Sequence, residues 1–255
     1  MFTNNFDPVA FVILSIEIRW YSLSYIFGIF FGWLYVKKFL IRDTSYLKLF
    51  DELLSYIIIG IIIGGRVGYV IFYNLEYYLN NIIEIFYVWN GGMSFHGGLI
   101  GVIIATYLFS KKFEYQSFIF LDLIAISAPI GIFFGRLANF INSELIGKAT
   151  NGSWGVIFIK VDEIPRHPSQ IYEALLEGLL LFFILNIIYF KKNYKIGKCS
   201  YLFLILYGVF RIISEFFREP DKHIGYIIDN VTIGMILSLI MIFAGIYAYN
   251  KKILL

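Results

Sequence analysis

Three arginines stand inside long apolar stretches of this 255-residue sequence, and they set the first chemical question. Arg66, Arg136 and Arg211 each fall where a hydrocarbon environment is expected, and a charge at the middle of a membrane helix costs roughly 2.5–3.5 kcal/mol on insertion scales. Snorkelling or internal pairing can relieve that cost. So can a bound anion, because the guanidinium is a planar fork of donors matched to phosphate and carboxylate oxygens. His96 lies in the run Asn90-Gly91-Gly92-Met93-Ser94-Phe95-His96-Gly97-Gly98. An imidazole titrates near neutrality and suits a base or acid, although a lone histidine is also commonly structural. Glycine neighbours would let a substrate approach the backbone.

Helical spacing groups further polar residues with these. Tyr207, Arg211, Glu215 and Arg218 step by four, four and three along one face, where Arg211 and Glu215 could equally neutralise each other. Arg136, Asn139 and Ser143 share a second face. Gln170, Glu173 and Glu177 share a third, where the two carboxylates would serve as counter-charges for the arginines.

The composition says what must hold these residues. Hydrophobic residues make up 59%, aromatics 20% and charged residues only 15% of the chain, with a mean hydropathy of +0.75. A soluble fold of this size cannot bury so much apolar surface, which excludes a soluble globular domain, a disordered chain and a nucleic-acid-binding module. An all-α integral membrane protein is expected, forming a single membrane domain over residues 1–255.

Seven stretches are apolar enough to cross: Trp20–Val36, Leu53–Tyr73, Phe95–Ser110, Ser117–Asn139, Ile171–Tyr189, Tyr201–Phe217 and Val231–Tyr249. Twelve Lys and Arg residues follow the odd-numbered stretches, against six on the other side, and residues 74–94 carry none. The positive-inside rule puts the N-terminus outside and the C-terminus in the cytoplasm. Arg66, Arg136, Arg211, His96, Glu173 and Tyr21 then gather at one depth near the outer interface, where arginines suit an anionic lipid headgroup. Polar residues running on toward the cytoplasmic half would instead suggest a transporter or flippase for an anionic solute or lipid, but those halves are apolar.

The start of the chain reads as no signal peptide, and Val9–Ile18 as an interfacial segment too short to span. Gly28/Gly32, Gly60/Gly64/Gly68, Gly97/Gly101 and Gly131/Gly135 have the spacing of close helix packing. Residues 140–170 are expected to form a small outer cap. His167 with Pro168 reads as a helix start, and His223 as a solvated loop residue. Cys199, the one cysteine, allows no internal disulfide, and its expected cytoplasmic position suits no outer-leaflet nucleophile. Dispersed histidines point to no metal site.

Several runs resemble the prolipoprotein diacylglyceryl transferase family. They are Gly135-Arg136-Leu137-Ala138-Asn139-Phe140-Ile141-Asn142-Ser143-Glu144-Leu145-Ile146-Gly147 and the Gly-Gly-Met-Ser-Phe-His-Gly-Gly run ending at Gly98. Supporting runs are Arg19-Trp20-Tyr21, Gly64–Tyr69, Arg166–Glu173, Tyr207–Arg211 and Phe216–Asp221, in the family's order. The resemblance implies a seven-span bacterial inner-membrane enzyme with its site on the periplasmic side. It would move the diacylglyceryl group of phosphatidylglycerol to the lipobox cysteine of prolipoprotein signal peptides and release glycerol phosphate, with no cofactor. It makes Arg136 and Arg211 the main headgroup contacts and His96 essential. Tyr21, Asn139, Glu144, Gly147 and Tyr207 match functional positions, and Arg66, Glu173, Glu215 and Arg218 match polar positions in the same runs. The segment 140–170 is shorter than in some relatives.

Overall fold

The computed structural model describes residues 1–220 and 225–251, so the expectation for His223 lies outside the described residues. The chain begins with strand β1 (Phe2–Asn4) and a hairpin of β2 (Val9–Ile13) and β3 (Ile16–Arg19). The helices are α1 (Trp20–Tyr35), α2 (Ser45–Tyr73), the short α3 (Leu75–Asn80), α4 (Phe95–Phe113) and α5 (Ser117–Asn142). After β4 (Val156–Phe158) and β5 (Pro165–Arg166) come α6 (Ser169–Glu173), α7 (Leu181–Tyr189), α8 (Lys198–Glu215) and α9 (Ile233–Lys251). The fold is predominantly helical, and every one of the seven apolar stretches lies on a helix.

Five helical segments are long and apolar enough to cross a membrane: Trp20–Leu40, Ser45–Tyr73, Ser117–Asn142, Ser169–Tyr189 and Ile233–Lys251. The other two stretches are diluted by the polar residues that make them interesting. Helix α8 carries Lys198, Arg211 and Glu215, and α4 carries His96, three glycines and a terminal lysine pair.

The segment Val9–Ile18, too short to span, folds as a strand pair. Its tip places Leu14 and Ser15 at φ values of 44° and 69°, the left-handed conformation that a two-residue turn demands. Its next residues start α1 directly, and Trp20 N donates to Pro8 O at 3.0 Å.

The chain divides into two compact units, one of Met1–Val36 with Ile124 onward, the other of Lys37–Leu123. In the first, Gly28 lies against Gly131, where a Cβ would stand 2.7 Å from the Gly131 Cα, so α1 and α5 cross backbone to backbone. Gly135, by contrast, has open space beside it and no packing role. Helix α9 packs along α8, with Leu181, Leu185, Phe203, Tyr207, Met235 and Met241 among the buried side chains of this unit. Cys199 is buried there and its Sγ donates to the Leu185 carbonyl at 3.7 Å.

Residues 140–170 fold around a three-stranded sheet of order β1-β4-β5. Strand β1 runs parallel to β4, and Asn4 donates to the Phe140 carbonyl at 2.7 Å, tying the N-terminus to the end of α5. In the second unit, α2 and α4 pack face to face through the glycines the sequence spaced for it. A Cβ on Gly60 would stand 2.6 Å from the Gly101 oxygen, and one on Gly68 2.5 Å from the Gly97 Cα.

Candidate functional site

In the first unit, α5, α6 and α8 bring three guanidinium groups and three carboxylates together. Glu173 sits at the end of α6, fully buried, and bridges two arginines. Its Oε2 lies 2.9 Å from Arg136 Nη1 and its Oε1 2.8 Å from Arg211 Nη1. Glu177 Oε2 accepts from Arg136 Nη2 at 2.9 Å. Arg211 Nη2 donates to Glu215 one turn along α8. Arg218 completes the cluster, with Nη1 3.7 Å from Glu173 Oε1 and 3.7 Å from Glu215 Oε1.

The local chain explains this convergence. Residues 174–180 form a wide, π-helical stretch between α6 and α7. Such an expanded turn rotates side chains relative to an α-helix and is frequent at functional sites. It keeps both Glu173 and Glu177 against Arg136, and Gly178 removes the Cβ that would stand 2.8 Å from the Phe133 Cβ. Glu215 is held from a further element. Thr232 Oγ1 donates to Glu215 Oε2 at 3.0 Å and accepts the Met235 amide at 3.2 Å, so it caps α9 while fixing the carboxylate. Gly234 leaves room for it, since a Cβ there would stand 2.7 Å from Glu215 Oε1. Tyr207, one turn before Arg211, is buried with its ring stacked on Phe203 at 5.6 Å.

The end of α5 builds a second network in the same unit. Asn139 donates to Glu144 Oε2 at 3.0 Å and Asn142 donates to Glu144 Oε1 at 3.2 Å. Ser143 and Leu145 adopt φ values of 59° and 52°, turning the chain sharply so that Glu144 folds back on α5. Tyr21 is half-exposed on the first turn of α1, with its hydroxyl 3.2 Å from that of Tyr25.

Gly147 has a packing role that its residue type requires. A Cβ there would collide with the His167 carbonyl, and Arg166 Nη1 donates to the Gly147 oxygen at 3.1 Å. Arg166 itself donates to Asp162 at 2.6 Å, and that hydrogen bond to the carboxylate raises the arginine's pKa further above its ordinary value. The His167-Pro168 pair does begin a helix: the Pro168 carbonyl accepts the Ile171 amide at 2.9 Å.

Arg66 and His96 belong to the second unit. Arg66 is buried and its donors go to backbone. Nε reaches the Ile85 carbonyl at 2.8 Å, Nη1 the Gly91 carbonyl at 2.6 Å and Nη2 the Glu84 carbonyl at 2.6 Å, with the guanidinium 5.0 Å over the Tyr78 ring. Its guanidinium thereby holds the loop ahead of α4. Gly91 and Gly92, at φ 81° and 78°, supply the backbone that loop needs. Ser94 follows, donating its amide to the Gly65 carbonyl at 2.9 Å and accepting the Gly97 amide on Oγ at 3.2 Å as the cap of α4. His96 is the second residue of that helix, buried, its ring edge-on to Phe95 at 5.6 Å.

Of the residues singled out from sequence, the structure thus brings together Arg136, Arg211, Arg218, Glu173 and Glu215, with Tyr207 a turn away. Glu177 is a full member of the cluster that its i, i+4 relation to Glu173 signalled. Thr232 and Gly234 carried no signal, because their part depends on α9 docking on α8.

The sequence matches the family model described as prolipoprotein diacylglyceryl transferase over residues 8–250. A phosphatidylglycerol–prolipoprotein diacylglyceryl transferase of Rickettsia bellii (strain OSU 85-389) is 51% identical over 251 residues, covering 97% of this chain and 95% of the relative. The enzymes of the same name from Rickettsia felis and Rickettsia akari are 49% and 48% identical, each over 95% of both chains. A match of this length and identity makes the chain a member of the prolipoprotein diacylglyceryl transferase family.

Proposed function

We infer that this multi-pass membrane protein is itself a phosphatidylglycerol–prolipoprotein diacylglyceryl transferase, with the arginine–carboxylate cluster of α5, α6 and α8 as its headgroup site. The observation that carries the reading is the pairing of Arg136 and Arg211 through a fully buried Glu173. Two guanidinium groups from two helices converge on one carboxylate, and a phosphate offers them oxygens of the same kind.

In the reaction, the sulfur of the prolipoprotein's lipobox cysteine attacks the glyceryl carbon that carries the phosphate. A carbon–sulfur bond forms, the carbon–oxygen bond to phosphate breaks, and glycerol phosphate leaves with the electron pair. Arg136 and Arg211 hold the phosphate and stabilise the charge gathering on the leaving group. A free thiol has a pKa of about 8.5 and must lose its proton. On the family resemblance alone that proton is assigned to His96, while Tyr21, Asn139, Glu144 and Tyr207 shape the headgroup site of the first unit. Glu215 fixes Arg211, and Arg218 stands behind Glu173 and Glu215.

The same reading holds that all seven apolar helices cross the bacterial inner membrane as one domain, N-terminus outside, with the site on the periplasmic side and residues 140–170 as its cap. Placing twelve of the basic residues in the cytoplasm supports this orientation.

The test uses membranes containing the protein, phosphatidylglycerol labelled in its headgroup glycerol, and a lipobox peptide. Release of labelled glycerol phosphate that requires the peptide's cysteine is expected. Release that persists with a serine peptide, or no release at all, overturns the reading.

A further inference from the structure

The cluster holds as many carboxylates as guanidinium groups: Glu173, Glu177 and Glu215 against Arg136, Arg211 and Arg218. Arg136 Nη1 and Nη2 already face Glu173 and Glu177, and Arg211 Nη1 and Nη2 already face Glu173 and Glu215. A phosphodiester can receive a two-pronged contact from Arg136 only if one of these carboxylates gives way.

The three carboxylates are not held equally. Glu215 has Arg211, Arg218 and the Thr232 hydroxyl. Glu173 has one arginine on each oxygen and Arg218 nearby. Glu177 has one close contact, Oε2 to Arg136 Nη2. Its Oε1 is buried, makes no hydrogen bond among the described residues, and stands 3.8 Å from Arg211 Nη1. It also sits on the π-helical stretch, a kind of turn frequent at functional sites.

We propose that Glu177 is a place-holder anion, occupying Arg136 in the lipid-free protein and yielding that position to the phosphate of the lipid substrate by turning toward Arg211. The proposal rests on the headgroup reading above and deepens it. The groups facing Glu177 are Arg136 from α5, Arg211 and Tyr207 from α8, and Glu173 from the end of α6. A carboxylate turning away from Arg136 therefore meets Arg211 rather than bare hydrocarbon, which keeps the displaced charge paired. The device suits a site that must exist both with and without an anion, because a pair of uncompensated buried guanidinium groups would be costly whenever lipid is absent.

A place-holder and a structural counter-charge differ in the sign of one measurement. Removing a competitor strengthens substrate binding, whereas removing a support weakens it. In mixed micelles with saturating lipobox peptide, Glu177→Gln is expected to lower the KM for phosphatidylglycerol by roughly tenfold, the lower range of a charged hydrogen bond. Glu177→Asp keeps the charge but withdraws it by one methylene, and is expected to lower KM as well. A wild-type or raised KM in both variants, with turnover intact, overturns the place-holder alone. Absence of phosphatidylglycerol-dependent turnover in the wild-type protein overturns the headgroup reading along with it.

The unmodified protein supplies an independent reading that needs no variant to fold. In infrared difference spectra, phosphatidylglycerol is expected to shift a carboxylate stretch that diacylglycerol, lacking phosphate, leaves in place. Identical spectra for the two lipids overturn the proposal.

Discussion

Glu173 on α6 and Arg211 on α8 meet with Oε1 2.8 Å from Nη1, although they are 38 positions apart in the chain. That contact makes Glu173 the joint of the cluster, since its other oxygen lies 2.9 Å from Arg136. Glu173→Gln removes the charge shared by both arginines while keeping the shape. Breaking a buried pair from one side costs roughly 3–5 kcal/mol, because the partner is left charged and unpaired. The expected outcome is a marked fall in thermal stability in detergent together with loss of transfer. A variant as stable as wild type means the arginines are compensated elsewhere.

Arg66 and Arg136 both lie on helices long and apolar enough to cross a membrane, yet their partners differ in kind. Arg66 spends its donors on the carbonyls of Glu84, Ile85 and Gly91. Arg66→Gln leaves several of these without a partner, at a cost of about 1–3 kcal/mol for each buried group. Faster amide exchange is expected across residues 82–94, with turnover reduced and affinity for phosphatidylglycerol unchanged. A fall in lipid affinity with that loop still protected makes Arg66 a headgroup contact instead.

Arg211→Lys tests the geometry of the fork rather than its charge. Arg211 serves Glu173 through Nη1 and Glu215 through Nη2 at once. A lysine ammonium is a single point and cannot hold both in one plane. Affinity for phosphatidylglycerol is expected to fall by roughly tenfold or more. Unchanged affinity and turnover in membranes rule out a two-pronged phosphate contact at this position.

How far these features could be read in advance depends on whether they are local. The seven apolar stretches and the glycine pairs of α2 and α4 were legible, because periodicity and small-residue spacing act within one helix or between neighbours. The face shared by Arg211, Glu215 and Arg218 was legible for the same reason. The hairpin Val9–Arg19 was not, since an apolar run of that length carries no distinctive period and its turn uses Leu14 and Ser15 rather than glycine. The partners of Arg66 were hidden because they are backbone carbonyls, and a carbonyl has no residue type. Thr232 escaped notice because its partner Glu215 lies on another helix.

His96 stands one residue into α4, behind a serine cap and ahead of two glycines that hold α4 against α2, so its backbone position is tightly fixed. A base must be unprotonated to accept the thiol proton. If His96 is that base, kcat/KM for the lipobox peptide falls on acidification, and the loss is reversed on raising the pH. His96→Gln then lowers the rate by about 10²–10⁴-fold, the usual contribution of a positioned base, and the acid limb disappears from what remains. Glutamine keeps polarity and approximate size, so a folding defect would show separately as lost thermal stability. An acid limb that survives in His96→Gln assigns the titration to another group, and leaves Arg136 and Arg211 to activate the thiol through their field alone.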